Sequence, residues 1–184
     1  TAAFFGHALS PEVLSALAFE VEQMHHGTPS GIDNTVVAFE QPVWFIRGQP
    51  PQILPAAETL ALVIGDTGES TPTRVPVGDV RAAWQRDPEA YDAIFDRIAQ
   101  LVTLSRDALL AGDLVQLGEA MNANHALLQS LTVSNADLDA LCIAARGAGA
   151  LGAKMSGGGR GGNMIALARD AEHAASVADA LLAA

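Results

Sequence analysis

Apolar residues at positions 13, 14, 17, 18, 21 and 24 recur at helical spacing. Ser10 stands before them as a capping residue, Pro11 suits the first helical position and Glu12 the first turn. The pattern predicts a helix over 11–25, ended by Gly27 and Pro29. A different pattern follows. Thr35 to Phe39 and Val43 to Ile46 are β-branched and aromatic runs separated by Glu40-Gln41-Pro42, which predicts a hairpin. Residues 59–64 predict a short buried strand ending at Gly65-Asp66-Thr67-Gly68.

From about 76 to 148 the period is helical again. It predicts helices over 76–86, 88–111, 113–130 and 135–147, separated by Asp87-Pro88, Gly112-Asp113 and Val133-Ser134-Asn135. Residues 153–156 and 164–168 read as strands flanking a glycine cluster, and a last helix runs over 170–183. Strands at both ends with helices between predict an α+β fold, with helices packed on a mostly antiparallel sheet.

Composition narrows the function. The chain has 184 residues, 49% hydrophobic and 17% charged, which suits a globular protein with a sizeable core. A net charge of −11 argues against nucleic acid or an anionic membrane surface as partner. No apolar run reaches the ~18 residues of a membrane span. Cys142 is the one cysteine and lies in an apolar helical pattern, so no intrachain disulfide forms and a reducing cytoplasm is the default. The chain starts at Thr1 and enters a helix almost at once, which leads us to expect a missing N-terminal part.

Two stretches carry candidate chemistry. In KMSGGGRGGN, five of the six residues from Gly157 to Gly162 are glycine, too costly in backbone entropy for a helix or strand interior. Such a run lets backbone N–H groups approach an oxyanion or another loop closely. Gly157, Gly159 and Gly162 fit G-x-G-x-x-G, but a strand pattern follows where a dinucleotide fold needs a helix, and no G-K-[ST] follows either. Arg160 is the one cation inside the cluster; it either neutralises phosphate or pairs with a surface acid. The second stretch, HHGTPSGIDN, places Asp33 in a turn where aspartate ordinarily caps backbone. Eleven residues earlier stands Glu22, about 200° around the helix from Glu20, so that one of the two can turn toward Asp33. Two such carboxylates beside a phosphate-cradling loop would suit a Mg²⁺ ligand and a base in phosphoryl transfer. His25, His26, His125 and His173 share no metal spacing and are expected to be exposed or capping. The acids between 88 and 119 are expected to form a solvated face.

Taken together, AFEVE before HGTPSGIDN, and KMSGGGRGGNMIAL far downstream, resemble the mevalonate kinase family of the GHMP (galactokinase, homoserine, mevalonate and phosphomevalonate kinase) superfamily. Gly65 to Gly68, Gly112 to Leu114, Met121 to His125 and Gly149 to Lys154 fit the same family in order, so the resemblance covers nearly the whole chain. It implies the end of an N-terminal domain over 1–55 and the α+β C-terminal domain over 56–184. It also implies ATP-dependent phosphorylation of (R)-mevalonate, with ATP and Mg²⁺ as cofactors and a homodimer as the candidate assembly. Asp33 then matches the catalytic aspartate, and Glu22 the glutamate that helps hold Mg²⁺. His26, Ser30 and Thr73 match substrate-side positions, while Ser156, Gly157, Gly158, Gly159 and Arg160 match the nucleotide-side glycine loop. Arg160 stands where the family usually has Gly, and Asn163 where it often has Cys. The family's substrate-side lysine motif and its G-L-G-S-S-A phosphate loop do not occur here. Two rivals stay open: another GHMP kinase acting on a sugar or mevalonate derivative, and a non-catalytic binding module.

Overall fold

Asp87, Asp113, Asn135 and Asp170 each stand one residue before a helix, and each side chain accepts the amide three residues on. Those four caps satisfy otherwise orphaned N–H groups and set the starts of all four helices described after residue 87. The computed structural model describes residue 6, residues 8–26 and residues 29–183, without the side chains of His25 and His26. The described residues form two compact units, one up to Ala56 and one from Ala57.

In the first unit, α1 (Pro11–His26) and α2 (Ile32–Phe39) pack together, and β1 (Val43–Trp44) pairs antiparallel with β2 (Gln52–Ile53). The expected hairpin of 35–39 with 43–46 is not formed; 35–39 is helical, and β1 pairs with 52–53 instead. Specific contacts override the strand propensity of this run. Thr35 Oγ1 donates to the Gly31 carbonyl (2.6 Å), and Asn34 Nδ2 donates to the Ser15 carbonyl (3.0 Å) and hydroxyl (2.9 Å). The contact face is therefore small and polar: Ser15 and Thr35 are buried within 3.2 Å of each other. The apolar stripe that marks α1 in the sequence is mostly exposed in this chain, Val21 at 50% and Met24 at 76%, with Ala18 half-buried.

The second unit holds β3 (Ala61–Asp66), α3 (Arg74–Arg86), α4 (Pro88–Ala111), α5 (Leu114–Ser130), α6 (Ala136–Gly147), β4 (Gly152–Ser156), β5 (Asn163–Ala168) and α7 (Ala171–Leu182). Its elements lie within two residues of the sequence expectation at each end, the two-residue differences being the start of α3 and both ends of β3. The sheet runs β3-β5-β4, wholly antiparallel, with Ala61 opposite Ala168 and Met155 opposite Met164. On one face Val63, Ala153, Met155, Met164 and Ala166 meet Leu138, Cys142 and Ala145 of α6 and Val177 of α7. Burying each of the larger side chains there contributes about 1.5–3 kcal/mol.

The outer edge of β4 is covered by α5 rather than by another strand. Asn122 accepts the Ala153 amide (2.9 Å) and donates to the Leu151 carbonyl (3.3 Å), and His125 Nδ1 accepts the Met155 amide (3.3 Å). Unpaired edge groups are thereby satisfied by side chains. Among the described residues no helix is long and apolar enough to cross a membrane.

Candidate functional site

The glycine cluster links β4 to β5. Gly157, Gly159, Arg160, Gly161 and Gly162 all have positive φ, between 55° and 121°. L side chains avoid this region, so the four glycines are required by conformation, and Arg160 adopts it in spite of its side chain. Gly158 is required for a different reason: a Cβ there would lie 2.6 Å from Thr73 Oγ1. Position 159 is constrained twice, since a Cβ would also lie 2.1 Å from the Val133 carbonyl oxygen.

Both flanks of the loop are tied down. The Arg160 amide donates to Val133 O (2.8 Å), and Thr71 Oγ1 donates to Arg160 O (2.8 Å). Gly162 N–H donates to Glu69 O (2.6 Å), and the Thr67 amide to Gly162 O (3.0 Å). By contrast, the amides of Gly157, Gly158 and Gly159 donate to no acceptor among the described residues. Gly157 is exposed, Gly158 half-buried and Gly159 buried, and a fixed loop with unpaired N–H groups is the arrangement that can receive an oxyanion. Ser156 closes β4 just before it, half-buried. Thr73, at the N-terminus of α3, makes no capping bond with its side chain, so its hydroxyl is available beside Gly158.

Arg160 answers the question left open by its sequence. Nη1 lies 2.5 Å from Asp79 Oδ2, and Nε donates to Thr132 O (3.0 Å), so the guanidinium is paired with a surface acid. The acids from Glu89 to Glu119 are exposed, Asp113 among them as a cap.

In the first unit, Gly31 initiates α2 in the left-handed region (φ 87°), and a Cβ there would press on the Phe19 ring at 3.2 Å. Ser30 Oγ accepts the Ile32 amide (3.3 Å). Asp33 sits in the first turn of α2, exposed, with no hydrogen-bond partner among the described residues. It is not the capping aspartate its turn suggested. Two positions before Thr35, it lies about 200° around α2 from the buried face. Glu22 is half-buried and seven residues, about two turns, from Ser15, so it shares the α1 face that meets α2. The packing does not join Glu22 and Asp33 into a pair. Among the described residues no three His, Cys, Asp or Glu side chains gather as metal ligands. A carboxylate cage for Mg²⁺ does not fit; one carboxylate supplemented by phosphate oxygens does. The His26 side chain lies outside the described residues, as do Gly27 and Thr28.

Two grooves complete the picture. One of about 280 Å³ in the first unit is lined by Ser30, Asn34, Thr35, Phe45 and Arg47, but not Asp33. The other, about 330 Å³ in the second unit, is lined by Leu62, Leu101, Met121, Ile165 and Lys154, whose pKa burial pushes down; it holds no expected site residue.

Sequence reasoning missed one polar assembly. His125, expected at the surface or at a cap, is only 2% exposed, and Nε2 lies 3.1 Å from Asp139 Oδ1, off the line of a well-formed hydrogen bond. Burial lowers the His125 pKa, outweighing the Asp139 charge that would raise it. Asp139 is itself desolvated, which would raise its pKa, but hydrogen bonds from Ser134 and Gln129 together with His125 bring it down. His173 is buried too and serves the start of α7: its Nδ1 accepts the Arg169 amide (3.2 Å).

Comparison with known proteins agrees with this architecture. Residues 105–184 match the family described as GHMP kinases C terminal. A mevalonate kinase of Thermococcus sibiricus is 41% identical over 169 residues, covering 89% of this chain and 50% of the relative. The chain thus spans about half the length of the curated relatives it matches. A mevalonate kinase of L. major, solved in complex with R-mevalonate, superposes with a TM-score of 0.89 at 35% identity, covering 95% of this chain and 55% of that one. Lactococcus lactis galactokinase, solved with galactose, reaches a TM-score of 0.77 at 23% identity over 98% of this chain and 57% of its own, a likeness of fold alone. Sequence, order of elements and the loop between β4 and β5 agree: the chain carries a GHMP kinase C-terminal domain.

Proposed function

We propose that this chain is the C-terminal portion of a kinase that transfers the γ-phosphoryl group of ATP to the primary hydroxyl of (R)-mevalonate, in the cytoplasm. Residues 1–55 are then the end of the N-terminal domain and 56–184 the C-terminal domain. The observation that carries this reading is the glycine loop, anchored at Arg160 and Gly162 with the amides of Gly157 to Gly159 unpaired among the described residues. The substrate is supported by the relatives, which are mevalonate kinases at 38–41% identity.

Each unit contributes its own part of the chemistry. In the second, the loop amides and Ser156 donate to phosphate oxygens, and Thr73 holds substrate beside them. In the first, Asp33 accepts the proton of the attacking hydroxyl as its oxygen bonds to phosphorus and ADP leaves. Ser30 and His26 lie on the substrate side. Glu22 would hold magnesium together with the ATP oxygens, and the ion when bound spreads the charge of the transferred group. Arg160, first matched to the nucleotide side, is engaged by Asp79 instead of standing free for phosphate.

The test uses a protein of the relatives' full length. Asp33→Asn should lower kcat by about 10²–10⁴ while leaving ATP affinity intact. Near-normal turnover would remove Asp33 from this role. A panel of mevalonate, phosphomevalonate, galactose and homoserine decides the acceptor. The 184-residue chain alone should release no ADP in the presence of mevalonate.

A further inference from the structure

Four bonds converge on Arg160. Its amide donates to Val133 O, its carbonyl accepts from Thr71 Oγ1, Nε donates to Thr132 O and Nη1 pairs with Asp79. The residue is left-handed at φ 55°, a conformation glycine would take without strain. The arginine is therefore present for its side chain, and that side chain does not point to an open ligand position. It reaches α3, through Asp79, and the turn before α6, through Thr132.

The reach to α3 has a counterpart six residues earlier on the same helix. Thr73, at the N-terminus of α3, packs on Gly158, and Asp79 holds Arg160 two positions further along the loop. Helix and loop are thus pinned at two points about 9 Å apart along the helix axis. The backbone bonds at Arg160 and Gly162 already hold the flanks of the loop, and the Asp79 pin adds a tie from the Arg160 side chain to the body of α3, so that the loop amides keep a fixed attitude to the Thr73 hydroxyl.

We propose that Asp79 is a positioning residue of the glycine loop, acting through Arg160 to lock the loop and α3 into one frame. The proposal rests on the reading of this loop as the phosphate-side element. Arg160 is accordingly a brace and not a phosphate ligand. The pair is partly exposed, with side-chain exposures of 29% for Arg160 and 56% for Asp79, so the effect is modest.

Two experiments test it. In this chain, trypsin can cut after Arg160 only by drawing the guanidinium into its acidic pocket, so the cleavage rate reports release from Asp79. Asp79→Asn should speed cut formation at Arg160–Gly161 by about three- to fivefold, and Asp79→Glu should restore the parent rate. An unchanged rate in Asp79→Asn overturns the brace. In a protein of the relatives' full length, Asp79→Asn and Arg160→Gln should each raise the ATP KM about three- to fivefold at unchanged kcat, and the double variant no further. If Arg160→Gln weakens ATP while Asp79→Asn tightens it, Arg160 is a phosphate ligand and the proposal falls. A parent protein that binds no ATP would sink the phosphate-side reading, and the cleavage assay would still decide the coupling.

Discussion

Gly118 on α5 and Gly152 at the start of β4 touch backbone to backbone: a Cβ on Gly152 would lie 2.2 Å from the Gly118 carbonyl oxygen. A Cβ on Gly118 would lie 2.4 Å from the Leu151 carbonyl oxygen. This contact brings α5 close enough for Asn122 and His125 to reach the edge of β4. Gly118→Ala or Gly152→Ala should cost about 3 kcal/mol, because rigid backbone and not a flexible side chain must move. Gly78, inside α3 with nothing near its missing Cβ, is the opposite case. Gly78→Ala should stabilise by about 0.5–1 kcal/mol. Urea unfolding of the three variants measures both signs.

The buried His125 makes stability depend on pH. Its folded pKa lies below the ordinary value of 6.5, chiefly through burial. The unfolded chain therefore binds the proton first, and stability is lost as pH falls below about 6.5 toward the lower folded pKa. The urea midpoint should drop between pH 7.5 and 5.5, and His125→Gln should flatten that slope. Equal slopes in parent and variant would show that His125 is not held neutral by the fold.

Cys142 should be chemically silent in the native state. It is fully buried, and burial pushes its thiol up to about 11, so almost no thiolate exists at pH 8. A thiol reagent should label it only after unfolding, and rapid native labelling would contradict the packing around α6.

Gly158 and Gly157 should respond differently to alanine. At Gly158 the new methyl strikes Thr73, costing about 1–3 kcal/mol, and Thr73→Ala should recover part of the loss. At Gly157 nothing lies within 4 Å, so only the strain of positive φ remains, about 1–2 kcal/mol. Thermal unfolding of the single and double variants tells the two causes apart.

What the sequence made legible follows from what kind of contact each element makes. From Asp87 onward, caps, stops and apolar period agree with one another, and the helices and strands lie within two residues of where the pattern puts them. The stretch from Thr35 to Phe39 did not, because the face of α2 that packs is Gly31, Asn34, Thr35 and Ala38 at helical spacing. Small and polar residues made that helix, so a period counted on apolar side chains passed over it, while Val36 and Val37 are exposed. Composition announced the glycine loop, but not why each glycine is needed; that depends on Thr73 and Val133, distant in sequence. His125 gave no local signal at all, since its role is to serve a strand thirty residues away.

The cover that α5 lays over β4 also gives the sheet a direction of growth. Side chains from the helix already occupy hydrogen-bonding groups along that margin, so no incoming polypeptide can extend the sheet there. Among the described residues β3 is the other margin and has β5 as its one strand neighbour, with Leu62 and Ile64 exposed along it. Any strand contributed from elsewhere, whether by a longer form of this protein or by a misfolded copy in a concentrated solution, has a single berth, alongside Ala61 to Asp66.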